Sequence, residues 1–185
     1  AITVLSKNDT DYEEEFTGMK SNIANCLMKL NQYDSALKIF KSLSPTAQQK
    51  NIIRQNTART YFEQGYYDSA LTIYESLPLQ NNFSSLLVLT DMGRIYMNRK
   101  QWQKAEMVFD SAISRNKSIS AVIKNKEEAV AYYYRSRLAE EQGLIDEAII
   151  WNNEALAEVH LNFKWGSITD LPEDISNTVS PITLF

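Results

Sequence analysis

The feature that most constrains this sequence is one pattern that returns four times along it. Each copy contains an alanine close to the start of a predicted helix. These alanines are Ala36, Ala70, Ala105 and Ala148, separated by 34, 35 and 43 residues. A helix–turn–helix unit of this length cannot bury its apolar face alone. The pattern therefore predicts helical hairpins stacked side by side around a continuous core.

Two other positions in each copy support this interpretation. Twelve residues before each alanine stands a small residue, as close contact between the two helices of a hairpin requires: Ala24, Ala58, Gly93 and Ser136. Three residues before it stands a large apolar residue that packs at the turn: Tyr33, Tyr67, Trp102 and Ile145. Further apolar residues follow at the spacing of a buried helix face. The fourth copy departs most from the pattern, as terminal repeats often do.

The period and these positions resemble the tetratricopeptide repeat (TPR), whose period is about 34 residues. The resemblance implies an all-α fold, a right-handed superhelical array of about four helical hairpins, with a concave groove lined by the first helices. We expect an array over residues 1–160, followed by an irregular apolar segment over 161–185. The predicted repeats are about 17–46, 51–79, 86–115 and 119–160. Residues 1–9 fit either half of a preceding repeat or an N-terminal tail.

The ends of the array carry three further expectations. A capping-box pattern at Thr10 and Glu13 predicts the start of the first helix. The longest spacing, before Ala148, requires extra helical turns or a longer loop. The segment 161–185 keeps many large apolar side chains. We therefore expect it to pack on the last repeat or to lead into a following domain.

Composition excludes several classes of function. The formal net charge is −4, which argues against nucleic-acid binding because that depends on clustered Lys and Arg. No apolar run approaches the roughly 20 residues needed to span a membrane. The single cysteine is compatible with a reducing compartment. We expect a cytoplasmic protein, although a processed exported form would look the same.

No enzyme signature is present in the sequence. Cys26 and His160 are the only thiol and imidazole, and the repeat alignment places them in different hairpins, with Cys26 interpreted as a buried core residue. The carboxylates between Asp11 and Phe16 are consecutive and do not converge on a cation. Neither a glycine-rich phosphate loop nor a metal-ligand motif occurs. We therefore predict a protein that is not an enzyme and has no cofactor and no metal site.

The candidate binding residues lie on the outward positions of the first helices. They are Asn22, Asn25, Gln55, Asn56, Arg59, Arg94, Tyr133 and Arg137. Arginine stands eleven residues before the repeat alanine in three successive copies, and arginine grips carboxylates bidentately. Asparagine amides can pair with both groups of a peptide bond. The alternative is that these arginines pair with acidic residues of the array itself.

These observations favour an interaction scaffold that binds a partner protein or an extended, acidic peptide in the concave groove. The alternative is a structural or regulatory segment of a larger multi-domain protein. The last third of the sequence is similar to the segment that precedes a caspase-like CHAT protease domain in some TPR proteins. The residues that carry this likeness are Ala155, Leu156, Phe163, Asp170 and Pro181. It implies a sensing or recruiting arm, with the protease beyond Phe185. The oligomeric state stays open.

Overall fold

The computed structural model describes residues 2–44, 47–80, 83–118 and 127–162. These ranges contain eight α-helices and no β-strand. The helices are α1 (Ile2–Lys29), α2 (Tyr33–Ser42), α3 (Ala47–Glu63), α4 (Tyr67–Tyr74), α5 (Phe83–Asn98), α6 (Trp102–Ser118), α7 (Glu127–Glu141) and α8 (Ile145–Asn162). They form two compact units, Ala1–Leu79 and Gln80–Phe185. The predicted all-α array of helical hairpins is confirmed.

Each unit is built from two hairpins, α1–α2 with α3–α4 and α5–α6 with α7–α8. In the first unit, Ala24 of α1 and Ala36 of α2 are fully buried in one cluster with Phe40 and Ile53. The predicted small residues thus lie in the core of the hairpin, where a larger side chain would push the helices apart.

In the second unit, the small residues have two different roles. A Cβ atom added to Gly93 on α5 would overlap the ring of Phe109 on α6. On α7, Ser136 is buried, and its hydroxyl donates a hydrogen bond of 2.8 Å to the carbonyl oxygen of Ala148 on α8. Serine fits the close contact in the fourth hairpin because the partner helix supplies an acceptor for its hydroxyl.

All four hairpin turns have the same backbone geometry. One residue with positive φ ends each first helix: Asn31 (58°), Gly65 (79°), Lys100 (55°) and Gly143 (75°). The amide of the next residue donates a hydrogen bond of 2.8–2.9 Å to the carbonyl five residues earlier, as in a Schellman cap. The carbonyl of that same next residue accepts a hydrogen bond of 3.0–3.1 Å from the repeat alanine of the second helix. The residue after the positive-φ position therefore caps the end of the first helix through its amide and the start of the second helix through its carbonyl.

Two expectations about the first helix were wrong. The pattern at Thr10 and Glu13 does not start α1, which begins at Ile2 and continues without a break to Lys29. Cys26 is exposed rather than buried. It lies two residues from the buried Ala24, which turns it about 200° around the helix axis, away from the core.

Other expectations stay predictions. Residues 2–9 are the first part of α1, and their assignment to a preceding repeat stays a prediction. The longer spacing before Ala148 is partly taken up by α6, which continues to Ser118, while residues 119–126 lie outside the described residues. So do residues 163–185, including most of those that carry the CHAT likeness. Within the described part of the chain, no helix meets the length and apolarity needed to cross a membrane.

Candidate functional site

The second unit contains an open cleft with a volume of about 580 Å³. Its walls come mainly from α5 and α7, the first helices of the two hairpins in this unit. The turn after α5 and the first residue of α6 complete it. The lining residues are Arg94, Met97, Asn98, Lys100, Trp102, Tyr133, Tyr134, Arg137 and Glu141. This volume lies within the range of small-molecule and side-chain pockets, about 300–1,000 Å³.

The charges around the cleft are unbalanced. Arg94, Lys100 and Arg137 are positive, whereas Glu141 is the one acidic side chain among the lining residues. The whole chain carries a formal net charge of −4, so the cleft differs in sign from the protein around it. Asp91 and Glu140 lie beside two of these cations, so the excess of positive charge belongs to the side chains that line the cleft, where it favours anionic groups.

Arg94 is held in place by an aromatic stack. Its guanidinium carbon lies 4.9 Å from the ring centroid of Tyr134. The Tyr134 ring is stacked in turn on Phe109, with centroids 6.1 Å apart and an interplanar angle of 9°. Phe109 is fully buried, so the stack rests on the core of the unit. Arginine combines this kind of stacking with hydrogen bonding to carboxylates in its own plane.

A buried carboxylate also orients Arg94. The Nη1 atom of Arg94 lies 3.6 Å from Oδ1 of Asp91, one turn earlier on α5, and the Asp91 side chain is 6% exposed. The Arg94 side chain remains 35% exposed at the cleft wall. Its guanidinium is thus fixed in direction and still accessible. Because the side chain is already ordered, the entropic cost of binding a ligand is lower.

Arg137 has a looser environment. Its Nη1 atom lies 3.2 Å from Oε2 of Glu140, and both side chains are close to half exposed. Surface pairs of this kind contribute only about 0–1 kcal/mol. A ligand carboxylate can therefore replace Glu140 at little cost. In the first unit, Arg59 and Glu63 form a similar pair at 3.8 Å.

The alternative prediction, that these arginines pair with acidic residues of the array, is confirmed for all three. Arg59, Arg94 and Arg137 each have an acidic partner three or four residues away on the same helix. None of these three arginines is buried. The pairs formed by Arg59 and Arg137 are exposed and therefore weak, and Arg94 stays 35% exposed beside the buried Asp91, so these contacts do not commit the arginines to a purely structural role.

Aromatic rings supply the apolar part of the cleft. Tyr133 and Tyr134 lie edge to face, with ring centroids 5.2 Å apart and an interplanar angle of 69°. Trp102 stands at the start of α6 and contributes its ring to the same wall. Rings of this size can pack against the aliphatic or aromatic side chains of a bound segment.

The structure brings together three of the predicted site residues and leaves five apart from the cleft. Arg94, Tyr133 and Arg137 line it together. The others belong to the first unit, on α1 and α3: Asn22, Asn25, Gln55, Asn56 and Arg59. All five are at least partly exposed, and their role in binding stays a prediction.

Sequence reasoning missed six of the lining residues, which are Met97, Asn98, Lys100, Trp102, Tyr134 and Glu141. The repeat alignment assigns Trp102 to turn packing and therefore hides its contribution to the cleft. Tyr134 stands at a position that the repeat alignment places on the outward side of its helix. Its stacking on Phe109 became visible only in the structure. Lys100 lies in the turn after α5, outside the first-helix positions from which the candidate residues were chosen.

The TPR-like architecture also appears in comparisons with known proteins. No protein-family model matches the chain, and neither does any curated protein sequence. Among solved structures, a kinesin light chain of Podosopora anserina with nearly identical TPR-like repeats matches in two forms. One form has a TM-score of 0.61 at 15% identity, covering 77% of this chain and 74% of that one. The other has a TM-score of 0.60 at 14% identity, covering 84% and 77%.

BtubC (BKLC) from P. vanneervenii matches with a TM-score of 0.62 at 16% identity, covering 82% of this chain and 66% of that one. Identities this low establish the fold alone. The chain therefore has the fold of TPR-like helical repeat proteins.

Proposed function

We propose that this TPR-like chain is a non-enzymatic protein-interaction module that binds an extended, acidic segment of a partner protein. The binding site is the cleft between α5 and α7 in the second unit. Helical repeat arrays of this fold typically serve as protein-interaction scaffolds. The observation that carries the proposal is the positively charged cleft, with Arg94 fixed in direction on a stack of aromatic rings.

The cleft has a suitable group for each part of an acidic peptide. Arg94 and Arg137 can each donate two hydrogen bonds to a carboxylate. Asn98 carries an amide that matches the donor and acceptor of a peptide bond. Trp102 and Tyr133 offer ring faces to the intervening side chains. Affinity then comes from several modest contacts along an extended segment instead of one deep pocket.

The first unit provides a second group of polar residues for the same proposal. Asn56 and Arg59 lie on α3, and Asn22 and Asn25 lie on α1. These side chains can contact a second part of the partner. Their contribution is separable from that of the cleft, because Arg59→Glu changes the first unit alone.

Selection from a random peptide library tests the proposal without a known partner. We expect the wild-type chain to enrich peptides rich in Asp and Glu. The double variant Arg94→Glu and Arg137→Glu should lose this preference, because the reversed charges repel carboxylates. Lys38→Glu with Lys104→Glu is the matched control, since it makes the same change in net charge at exposed residues of α2 and α6.

Enrichment of neutral or basic peptides on the wild-type chain would contradict the proposal. So would an acidic preference that survives reversal of both arginines while circular dichroism shows an unchanged helical content. Loss of the preference in the lysine control would show that net charge, and not the cleft, selects the peptides.

The second candidate is a structural or regulatory role within a larger protein, such as the recruiting arm of a CHAT protease. This role does not exclude peptide binding, because a recruiting arm also needs a ligand. A co-expression experiment with a CHAT protease domain would test it. Specific cleavage only in the presence of this chain would support the role.

A further inference from the structure

A continuous apolar stripe runs along the outer side of α1. Its members are Tyr12, Phe16, Met19, Ile23, Cys26 and Leu30, the last directly after the end of the helix. All six are exposed, and the five largest have exposed fractions between 53% and 71%. Single exposed apolar residues are normal on a protein surface, but a contiguous row of large ones marks an interaction site.

The core of the first unit does not use this stripe. The core-facing residues of α1 include Thr17 and Ala24, which are buried, and Met28, which packs on the core cluster. Ile23 of the stripe precedes Ala24 by one residue, which turns it about 100° around the helix axis. The helix therefore has two apolar faces, and the hairpin with α2 covers only one of them.

The spacing of the stripe points to a helical partner. Successive members are separated by four, three, four, three and four residues, which is the alternation of heptad positions d and a. A strict heptad repeat, with a mean spacing of 3.5 residues, keeps a seam in contact with a second helix wound around the first. The five intervals of this stripe span 18 residues and average 3.6, so the heptad interpretation depends on the alternation of fours and threes and on the hollow between four neighbouring side chains, and not on the mean spacing.

The stripe also contains a socket for a partner side chain. Tyr12, Glu15, Phe16 and Met19 enclose a surface hollow of about 340 Å³. They occupy positions i, i+3, i+4 and i+7 of α1, the four residues between which a coiled-coil knob inserts.

We propose that two copies of this chain associate through α1, with the two helices parallel and in register. In that arrangement Phe16 of each copy faces the hollow around Phe16 of the other, so one surface serves both sides of a two-fold contact. The inference does not depend on the peptide-binding proposal, because the stripe belongs to the first unit and the cleft to the second.

The charges beside the stripe favour this direction. Glu15 and Lys20 flank it on opposite sides, at heptad positions g and e. In a parallel pair, Glu15 of one copy lies beside Lys20 of the other, and the two-fold symmetry repeats the contact. An antiparallel pair with the same apolar layers would place Glu15 beside Lys29 but would also bring Lys20 against Lys20, a repulsion that the parallel pair does not have. The Nζ atom of Lys20 lies 4.3 Å from the ring centroid of Phe16, which keeps this ammonium at the edge of the stripe.

Measurement of molecular mass over a range of concentrations is the first test. The full chain should shift from 21.2 kDa towards twice that mass as its concentration rises. Phe16→Glu with Ile23→Glu should keep the monomer mass throughout, because two carboxylates would then lie in the seam. Ile52→Glu is the matched control, since Ile52 is another exposed isoleucine of the first unit, and it should leave the association unchanged.

Cross-linking through Cys26 is the second test, and it needs no substitution in the seam. Cys26 is the only cysteine and occupies a d position, so the two thiols of a parallel pair face each other within disulfide reach. With added diamide as oxidant, the two thiols lose two protons and two electrons, the S–S bond forms, and diamide is reduced to its hydrazine. A covalent dimer is expected, and Cys26→Ser should abolish it.

Three results of these two tests would overturn the proposal. A monomer mass at every concentration would assign the stripe to a partner other than a second copy. A dimer that survives Phe16→Glu with Ile23→Glu would place the contact elsewhere. A dimer without a Cys26 cross-link would contradict the parallel register, because antiparallel packing separates the two thiols by ten residues, or about 15 Å.

Discussion

At the scale of single residues, Gly93 determines the position of the main cleft arginine. The ring of Phe109 occupies the space where a Cβ atom of residue 93 would lie. Phe109 supports the ring of Tyr134, and Tyr134 supports the guanidinium of Arg94. A small residue required by helix packing thus also orients a side chain of the cleft.

This arrangement predicts opposite effects for two glycine substitutions. Gly93→Ala should lower the free energy of unfolding by about 1–3 kcal/mol, because the added methyl group overlaps the Phe109 ring. Gly18→Ala in α1 should raise it by about 0.5–1 kcal/mol, since no heavy atom outside its own helix lies within 4 Å of the added Cβ. Urea unfolding of both variants checks the prediction. Equal stability of Gly93→Ala and wild type would contradict the proposed packing.

Residues with the same role in every hairpin were easier to identify from the sequence than residues with a role at a single site. Ala24 and Ala58 are buried as predicted because both hairpins of the first unit need a small residue at the same place. Cys26 was misassigned because its neighbours in the chain face the core while it does not. Trp102 was seen only as one of four turn residues, so its role in a single cleft gave no periodic signal.

At the scale of structural elements, the hairpin turn is more uniform than its sequence suggests. Glycine occupies the left-handed position in two turns, whereas Asn31 and Lys100 occupy it in the others. Asparagine tolerates this conformation better than most residues, and lysine adopts it at some cost. The hydrogen bonds around the turn are the same in all four hairpins. The repeat alanines therefore located the hairpins more reliably than the glycines did.

A buried arginine connects three helices of the second unit. Arg135 on α7 is 4% exposed and forms ion pairs with Glu106 and Asp110 of α6, the latter at 3.1 Å. Glu147 of α8 lies 4.0 Å from the same guanidinium, and the ring of Trp151 lies 5.4 Å from its carbon. This network was not predictable from the sequence, because its members come from two hairpins and share no repeat offset.

Arg135→Gln should therefore lower the free energy of unfolding by about 1–2 kcal/mol. The glutamine side chain has no charge and no guanidinium to pair with the carboxylates of Glu106 and Asp110. Those carboxylates are 40–52% exposed, so they recover part of their hydration when the ion pairs are lost. Thermal unfolding provides the measurement. The control is Arg137→Gln, which breaks only the exposed pair with Glu140 and should change stability by less than about 0.5 kcal/mol. Equal effects of the two variants would refute a structural role for the Arg135 network.

At the scale of the whole molecule, the fold followed from the sequence more fully than the site did. A period repeated four times predicts helical hairpins because each copy requires a neighbour to cover its apolar face. The division near Leu79 was not predictable, since the spacing from Ala70 to Ala105 is almost the same as the preceding one. The binding surface was predicted as a ladder of arginines along the array. In the structure, three of the eight predicted residues share one cleft in the second unit.

The apolar stripe on α1 was overlooked for a related reason. An alignment on the repeat period identifies the apolar residues that recur at fixed distances from the repeat alanines. Phe16, Ile23 and Cys26 do not stand at any of these distances. Their heptad spacing became meaningful only when the structure showed that α2 covers a different face of α1. A helix with two apolar faces can serve both folding and association.

We infer that the cleft of the second unit binds an acidic peptide through Arg94 and Arg137. Calorimetric titration of one library-selected acidic peptide into three forms of the full chain tests this claim. We expect the reversal variant, Arg94→Glu with Arg137→Glu, to bind about tenfold or more weakly than wild type, corresponding to at least about 1.4 kcal/mol. The control with Lys38→Glu and Lys104→Glu should bind as wild type does. Equal affinity of all three forms would contradict the claim.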